Sequence, residues 1–195
     1  MDGFEKRKEQ KKDSIRKAAL ELFRSYGFRK VSVAEIARKA GVSQVTIYNY
    51  FGNKHELVRD VMKWFILSLI ERYETMMSGD APFLEKLEAI VFDKAEVVTQ
   101  FQGELVQTIL QEDMELRDFL AKAQQERILP AVAAFLHEGS RLNYVNSRFS
   151  LPGILLYFEI LRRGFFDLPD FSERVQKNPG LIKEIIELVT YGLNG

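Results

Sequence analysis

Three residues that favour helix starts lie within about twenty positions of one another, at Ser32, Ser43 and Asn53. Glu35 follows Ser32 by three residues, and Glu56 follows Asn53 at the same spacing. At this spacing the cap side chain and the carboxylate can each accept a hydrogen bond from an otherwise unpaired backbone N–H. The pattern predicts that three helices begin within this short stretch of chain.

Helical periodicity extends over almost the whole sequence, and no alternation of apolar and polar residues is long enough to indicate a strand. The first helix has a one-sided apolar stripe, which Gly27 ends and which consists of Ile15, Ala18, Ala19, Leu22, Phe23 and Tyr26. The next three helices are expected at 33 to about 39, at about 43–49 and at 54 to about 78. Further helices are predicted at about 82–99, 104–114, 116–138, 151–166 and 179–193. We therefore predict an all-α protein of about nine helices.

The composition sets limits on the kind of protein. The 195-residue chain is 46% hydrophobic, which is enough for one core, or for one core and a small second domain. It has no cysteine, so disulfides and thiolate metal sites are excluded and a reducing cytoplasm is permitted. No signal peptide or membrane span is indicated, because the N-terminus is charged and the most apolar region, Val61 to Ile70, is short and contains Lys63. We expect a cytoplasmic protein.

The formal net charge is zero, but the charge is unevenly distributed. Residues 1–55 contain 13 Lys and Arg against 6 Asp and Glu, whereas residues 56–195 contain 15 against 22. A basic first quarter favours nucleic acid as a partner. The basic run over residues 6–12 is diluted by the acids Asp2, Glu5, Glu9 and Asp13, so a solvated tail and an arm that touches the DNA backbone are equally open.

The segment Ala34 to Phe51, AEIARKAGVSQVTIYNYF, has the pattern of a helix-turn-helix. Gly41 supplies the left-handed residue that ends one helix and turns the chain towards the next. Ile47 points into the angle between the helices, and Tyr50 or Phe51 continues the buried side. The outward face is left to Gln44, Val45, Thr46, Tyr48 and Asn49. Amides can pair with base edges, methyl groups can contact thymine and hydroxyls suit phosphate oxygens, so this face fits a DNA major groove.

Residues 9–55 resemble the DNA-binding domain of the TetR family of transcriptional regulators. The resemblance rests on AALELFRSYGFRKVSVAEIARKAGVSQVTIYNYFGNKHEL, with its Ala-Gly-Val-Ser turn, its Tyr-x-Tyr-Phe motif and Lys54. It implies that residues 43–49 form the recognition helix of a three-helix domain, which a long fourth helix joins to a helical domain over residues 56–195. It further implies base contacts by Gln44, Val45 and Thr46, and phosphate contacts by Tyr48, Asn49 and Lys54. Ser32 and Ser43, at the helix starts, complete the predicted DNA-binding set.

Aromatic residues are concentrated after residue 60, and helical spacing alone would place most of them in a core. TetR-like proteins usually hold a ligand pocket in this region, so the resemblance implies an effector site for an apolar or aromatic small molecule. The candidate pocket residues are Trp64, Phe65, Phe92, Phe101, Met114, Phe119, Tyr157 and Phe158. Pro130 either bends a helix and so keeps its neighbours apart, or marks a helix boundary at Leu129.

Two late segments, 153–166 and 181–193, carry more apolar surface than one flank of a small bundle requires. Two such helices packed on their two-fold copies would form a four-helix dimer interface. The candidate interface residues are Leu155, Phe158, Leu161, Ile182, Ile185, Ile186 and Val189. An ordinary buried core is the alternative.

Enzymatic chemistry has little support in the sequence. The two histidines, His55 and His137, have no glutamate three residues before them, and no phosphate-binding glycine loop or Gly-x-Ser-x-Gly nucleophile motif is present. We expect no catalytic residue, no metal and no cofactor.

The sequence predicts a homodimeric transcriptional repressor that binds a near-palindromic operator in double-stranded DNA and is released by a small-molecule effector. An activator of the same fold, or a regulator that responds to a protein, stays open as an alternative. A helical carrier or enzyme that uses the aromatic interior is a more distant one.

Overall fold

The computed structural model describes residues 3–90, 113–146, 148–157, 160, 173–174, 177–178, 180–181, 184–185, 187–188 and 191. Its helices are α1 (Gly3–Tyr26), α2 (Val33–Ala40), α3 (Gln44–Phe51), α4 (Lys54–Ser78), α5 (Met114–Ala123) and α6 (Leu129–Arg141), with a π-helical turn at Gln124–Ile128. Residues 83–90 and 151–157 are also helical. None of these described residues lies in a strand, which confirms the predicted all-α fold. None of the helices in the same ranges combines the length and the apolar character that crossing a bilayer requires.

Backbone contacts divide the chain into two compact units. The first unit comprises Met1–Leu69 and Gln100–Lys122, and the second comprises Ile70–Thr99 and Ala123–Gly195. The division falls inside α4, so this helix contributes residues to both units.

The first helix is longer than its apolar stripe. It begins at Gly3, so the basic run over residues 6–12 is helical. It ends where the Gly27 N–H donates to the Phe23 carbonyl at 2.9 Å, with Gly27 at φ 79°. Glycine adopts this left-handed backbone without the steric cost that a Cβ atom would add, which confirms the predicted end of α1.

The core of the first unit draws on all of its first four helices. Its fully buried side chains, each at most 1% exposed, include Ile15, Phe23, Ile36, Ile47, Leu57, Val61 and Met62. Burial of one such side chain contributes about 1.5–3 kcal/mol to stability. Phe51 is buried and Tyr50 is only half-buried, so Phe51 is the residue that continues the inward face of α3.

The start of α4 shows only half of the predicted reciprocal capping. The Asn53 side-chain oxygen accepts a hydrogen bond from the Glu56 N–H at 3.0 Å, as predicted. The Asn53 N–H instead donates to the Phe51 carbonyl at 3.0 Å. The Glu56 carboxylate accepts bonds from the Arg59 guanidinium at 2.9 Å. The predicted return bond is therefore wrong, because an arginine on the next turn competes for the carboxylate.

The second unit contains an aromatic cluster between residues 83–90 and α6. Its buried members are Phe83, Leu87, Ile90, Phe135, Leu136, Val145 and Ile154. The Phe83 ring stacks on Phe135 and on Tyr144, with centroid distances of 4.6 and 5.3 Å. Stacked pairs of this kind add about 0.5–1.5 kcal/mol beyond their buried area.

A buried ion pair lies beside this cluster. The side chain of Lys86 is 4% exposed, and its ammonium donates to both carboxylate oxygens of Glu138 at 2.7 Å. It also donates to the Gly79 carbonyl at 3.2 Å and lies 5.7 Å from the centroid of the Phe135 ring. The pair joins helix 83–90 to α6, and the bond to Gly79 joins it to the residue that follows α4.

Residues 114–141 form one uninterrupted helical run with a π-helical turn in its middle. The Leu129 N–H donates to the Gln124 carbonyl, five residues back, and the backbone stays right-handed helical at Ile128 and Leu129. This wider turn accommodates Pro130, which lacks an N–H and would clash with a carbonyl in a regular α-helix. Pro130 therefore produces a change of helix type at Leu129 rather than a break.

Two predicted helix ends in this region are wrong. Met114 begins α5 rather than ending a helix, because the Asp113 carboxylate caps α5 by accepting a bond from the Leu116 N–H at 2.9 Å. The break predicted from residue 139 begins after Arg141, since Gly139 is a buried residue of α6. The remainder of the predicted helix 104–114 lies outside the described residues.

Candidate nucleic-acid interface

The turn between α2 and α3 is fixed by backbone hydrogen bonds around Gly41. This residue has φ 67° and ψ 33°, and its N–H donates to the Arg38 carbonyl. The Val42 N–H donates to the Ala37 carbonyl at 3.0 Å. The two bonds form a Schellman motif, which satisfies carbonyls that the end of α2 would otherwise leave unpaired. The short link that results is the one a helix-turn-helix requires.

The start of α2 is held by the predicted capping box. The Ser32 hydroxyl accepts a bond from the Glu35 N–H at 3.2 Å, and the Glu35 carboxylate accepts bonds from the Ser32 N–H at 2.7 Å and hydroxyl at 2.6 Å. These bonds, first the one from the hydroxyl and then the one from the backbone, lower the pKa of Glu35. The Ser32 side chain is exposed, and its hydroxyl caps the start of α2.

The start of α3 is capped by Ser43. Its hydroxyl accepts a bond from the Thr46 N–H at 3.0 Å, and the two hydroxyls lie 2.8 Å apart. Thr46 is half-buried, whereas Gln44 and Val45 are exposed beside it. The Thr46 hydroxyl thus supports the helix start, and the two residues before it are exposed to solvent.

The outer face of α3 groups the remaining candidates. Tyr48 is 46% exposed and Val45 is 66% exposed, and Asn49 lies one turn after Val45 on the same face. Ile47 and Phe51 lie on the opposite, buried face. Amide, hydroxyl and methyl groups therefore share one surface of a short helix that is anchored from behind.

Lys54 lies at the first position of α4, and its ammonium donates to the Arg29 carbonyl at 3.1 Å. Its charge is also among the causes of the lowered pKa of Glu35. The carbonyl occupies one of the three N–H donors of the ammonium, so two remain for an anion. The contact fixes Lys54 beside the loop that precedes Ser32, which brings two predicted DNA-binding residues into one region.

Behind α3, a charged cluster joins α1 to α4. The Arg16 guanidinium donates to Asp60 at 2.6 Å, to Asp13 at 2.8 Å and to Glu9. Burial disfavours the charged form of Arg16, but the bonds to Asp60, Glu9 and Asp13 outweigh this effect and raise its pKa. A guanidinium that is always charged thus holds the two long helices at a fixed register.

A second cluster, which sequence reasoning missed, joins α4 to α5. The Arg59 guanidinium donates to the Asp113 carboxylate at 2.7 Å, and the His55 Nε2 atom lies 3.3 Å from the same carboxylate. Glu115 accepts bonds from Arg59 and Lys63. Spacing within one helix could not reveal these contacts, because their partners lie more than fifty residues apart.

The candidate pocket residues are divided between the two units. Trp64 and Phe65 on α4, and Met114 and Phe119 on α5, belong to the first unit, whereas Tyr157 belongs to the second. Phe65 is buried in the core of the first unit, and Met114 is 68% exposed. Phe92, Phe101 and Phe158 lie outside the described residues. The pocket assignment stays a prediction.

The candidate dimer residues within the described ranges, Leu155 and Ile185, are half-buried. Phe158, Leu161, Ile182, Ile186 and Val189 lie outside those ranges. The sequence did not single out four well-exposed apolar side chains nearby, which are Leu156 (61%), Ile160 (60%), Leu188 (71%) and Tyr191 (83%). All four have helical backbone, and exposed apolar side chains of this kind are typical of protein contact surfaces.

Residues 15–61 match the sequence model of the family described as bacterial regulatory proteins, tetR family. Over 86 residues the chain is 35% identical to the fatty acid metabolism regulator protein of Bacillus subtilis (strain 168), an alignment that covers 44% of each protein. Over 88 residues it is 27% identical to the HTH-type transcriptional repressor KstR2 of Mycobacterium tuberculosis, covering 45% of this chain and 44% of that protein. The aligned part spans less than half the length of these curated relatives.

The likeness in fold extends further than the likeness in sequence. The crystal structure of the transcriptional regulator FadR from Bacillus subtilis, in complex with stearoyl-CoA, superposes with a TM-score of 0.64 at 24% identity. The superposition covers 92% of this chain and 97% of that one. Two capped helices joined by a left-handed glycine define a helix-turn-helix protein. The match over residues 15–61 confirms the predicted resemblance of the N-terminal region to the TetR family of bacterial regulatory proteins.

Proposed function

We propose that the chain is a sequence-specific, DNA-binding transcriptional regulator, a cytoplasmic repressor that a small-molecule effector releases from a near-palindromic operator. The exposed face of α3, held by the Gly41 turn and the Ser43 cap, is the observation that carries this conclusion. Both curated relatives described above are named as regulators, and neither name describes an enzyme. An activator, or a regulator that responds to a protein, would use the same interface.

Residues 9–55 serve as the DNA-binding domain in this proposal. Gln44 and Val45 contact base edges from the N-terminal end of α3, where a recognition helix lies nearest the bases. Tyr48, Asn49 and Lys54 contact phosphate oxygens, to which hydroxyl, amide and ammonium groups donate well. Ser32, Ser43 and Thr46 hold the helix starts through the hydrogen bonds described above, and Ser32 and Ser43 add exposed side chains at the same surface.

Residues 56–195 serve for dimerisation and effector binding. The exposed pairs Leu156 with Ile160 and Leu188 with Tyr191 would be covered by the two-fold copy of the same chain. Two recognition helices could then read major grooves about 34–36 Å apart on one side of the duplex. An effector that binds the two states with different affinity, by about 1–3 kcal/mol, would change operator affinity about 5- to 150-fold.

The relatives suggest which effectors to test first. The Bacillus subtilis FadR structure contains stearoyl-CoA. The curated Bacillus subtilis protein that is 35% identical over 86 residues is named as a fatty acid metabolism regulator. A long apolar chain also suits the prediction of an apolar or aromatic effector. Acyl-CoA thioesters of graded chain length are therefore the first compounds to add to a protein–DNA complex.

Selection of bound duplexes from a random pool tests the DNA-binding proposal. We expect an inverted repeat, and we expect Gln44→Ala to relax base choice while Tyr48→Ala with Lys54→Ala weakens binding to all sequences. A matched control replaces Tyr26 and Lys17, an exposed tyrosine and lysine on α1, by alanine. Recovery of no preferred sequence, or equal affinity of the parent and the Tyr48/Lys54 variant, would contradict the assigned interface.

A further inference from the structure

The N-terminal part of α1 extends past the core of the first unit. The helix begins at Gly3, but Ile15 is its first fully buried side chain. None of the described side chains between residues 3 and 14 is buried. About three helical turns, at 3.6 residues per turn, therefore precede the first buried side chain of α1.

Three lysines continue the buried stripe of α1 into this projecting part. Lys8, Lys11 and Lys12 precede Ile15 by seven, four and three residues. These are the spacings at which residues share one face of an α-helix. One face of α1 is therefore apolar and packed from Ile15 onwards, and basic before Ile15. The lysines lie on the same side of the helix as the side chains that pack in the core.

This basic stripe faces the end of the recognition helix. The Lys12 ammonium lies 5.4 Å from the ring centroid of Phe51, the last residue of α3. Lys8 lies four residues further along the helix, about 6 Å beyond Lys12. Lys8 and Lys11 are exposed, and among the described residues neither forms an ion pair.

Two of the acids that dilute the basic run, Glu9 and Asp13, bind an arginine of α1. Glu9 and Asp13 both accept bonds from Arg16, which also binds Asp60 of α4. These carboxylates therefore lie on the flank of α1 that faces α4, beside the lysine stripe rather than within it. The sequence alone could not distinguish a solvated tail from a DNA-binding arm, because it does not show on which side of the helix the acids lie.

We infer that Lys8 and Lys11 form a basic arm that contacts the phosphate backbone of duplex DNA next to the end of the recognition helix. The inference rests on the proposed function, since it needs α3 to lie in a groove. Phosphates flank a groove on both sides, and exposed lysines bind them as point charges without reading sequence. The arm would raise affinity for all duplexes and would make that affinity more sensitive to salt.

The salt dependence of DNA binding tests the arm. The parent and the double variant Lys8→Gln/Lys11→Gln are titrated with random-sequence duplexes of about 30 base pairs, long enough for two half-sites one helical turn apart. Each lost phosphate contact should reduce the slope of log K against log salt by about 0.9. We therefore expect a reduction of up to about 1.8 for each bound chain.

The matched control is Lys6→Gln/Lys17→Gln. These lysines lie two residues from Lys8 and from Ile15, and hence on the opposite face of the same helix, and both are exposed. The control removes the same charge, and glutamine has nearly the helix propensity of lysine, so circular dichroism should match for all three proteins. The control slope should stay near that of the parent.

The possible outcomes distinguish a failure of the basic-arm inference from a failure of the DNA-binding proposal. A reduced slope in the Lys8/Lys11 variant alone supports the arm. Equal slopes in all three proteins, or equal reductions in both variants, overturn it while leaving DNA binding by α3 intact. A parent that binds no duplex even at low salt overturns the proposed function itself, and the arm with it.

Discussion

The helix-turn-helix and the aromatic cluster of the second unit fix their helices by different means. In the first, short helices are set by local hydrogen bonds at Ser32, Gly41 and Ser43, each within five residues along the chain. In the second, residues 83–90 and α6 are held by ring stacking and by the Lys86–Glu138 pair, whose members lie 52 residues apart. Local chemistry can be inferred from spacing, whereas distant packing needs the folded chain.

Removing Glu138 should cause the largest loss of stability. The loss would show that the second unit depends on a distant contact, unlike the locally bonded helix-turn-helix. The Glu138→Ala variant leaves the buried Lys86 ammonium with the Gly79 carbonyl and the face of Phe135. A buried charge that loses its partner costs about 3–5 kcal/mol. We expect a fall of about 3 kcal/mol in the free energy of unfolding, measured by urea denaturation followed by circular dichroism.

Two control variants test whether this loss of stability comes from the burial of the pair. Lys86→Met removes the buried charge and should be milder, because the Glu138 side chain is 37% exposed and can be hydrated. Lys39→Met breaks the exposed pair with Glu21 in the first unit, and such pairs contribute about 0–1 kcal/mol. Equal losses in Glu138→Ala and Lys39→Met would mean that burial of the pair is unimportant.

One glycine in each region sharpens the comparison further, because the two are needed for different reasons. At Gly41 an added Cβ atom would meet nothing within 4 Å, but φ is 67°. At Gly139 an added Cβ atom would lie 2.6 Å from the Phe83 ring and 2.9 Å from Val145. Gly41 is required by its backbone conformation, and Gly139 by a lack of space.

Alanine and asparagine at these two positions should give opposite rankings. Gly41→Ala should cost about 1–2 kcal/mol through left-handed strain, and Gly41→Asn should cost less, because asparagine tolerates this conformation. Gly139→Ala should cost about 1–3 kcal/mol through overpacking, and Gly139→Asn should cost more. Thermal and urea unfolding of the four variants would measure this, and the same ranking at both sites would contradict the distinction.

The sequence predicted the starts of α2 and α3 and the turn between them well because their determinants are local. The Ser32 capping box, the Ser43 cap and the turn at Gly41 all follow from residues three to five positions apart. It failed at Asn53, where Arg59 takes the Glu56 carboxylate, and at Met114, where Asp113 begins a new helix. At the start of α4 the Glu56 carboxylate had two possible partners, and spacing alone does not rank them.

The candidate pocket and dimer surfaces illustrate the same limit. Phe65 and Phe119 both suit a helical face, but Phe65 is buried beneath Arg24 and Phe119 lies 5.6 Å from the Lys63 ammonium. Leu155 was predicted at the dimer surface, yet its neighbour Leu156 is the more exposed of the two. Helical period assigns an apolar residue to a stripe, and the partner of that stripe is decided by tertiary packing.

The smallest expected effect is at Asp113, whose contact with Arg59 joins distant residues within the first unit. Burial raises the pKa of Asp113, but bonds from the Arg59 guanidinium and the Leu116 N–H outweigh this effect and lower it below 3.8, its ordinary value. The carboxylate therefore stabilises the folded protein above about pH 4, and this contribution is lost as the pH falls through the lower folded value. Arg59, His55 and Glu115 are the charged or titratable groups around it.

Asp113→Asn should keep the helix cap and remove the charge, because asparagine is as good a cap as aspartate. We expect a loss of about 1.5 kcal/mol at neutral pH, the contribution of a hydrogen bond to a charged group. The variant should also lose less stability than the parent between about pH 4 and pH 2, because the depressed carboxylate no longer titrates there. Asp118→Asn, at an exposed position of α5, is the matched control and should follow the parent curve. Parallel curves for the parent and Asp113→Asn would show that the contact between α4 and α5 does not depend on this charge.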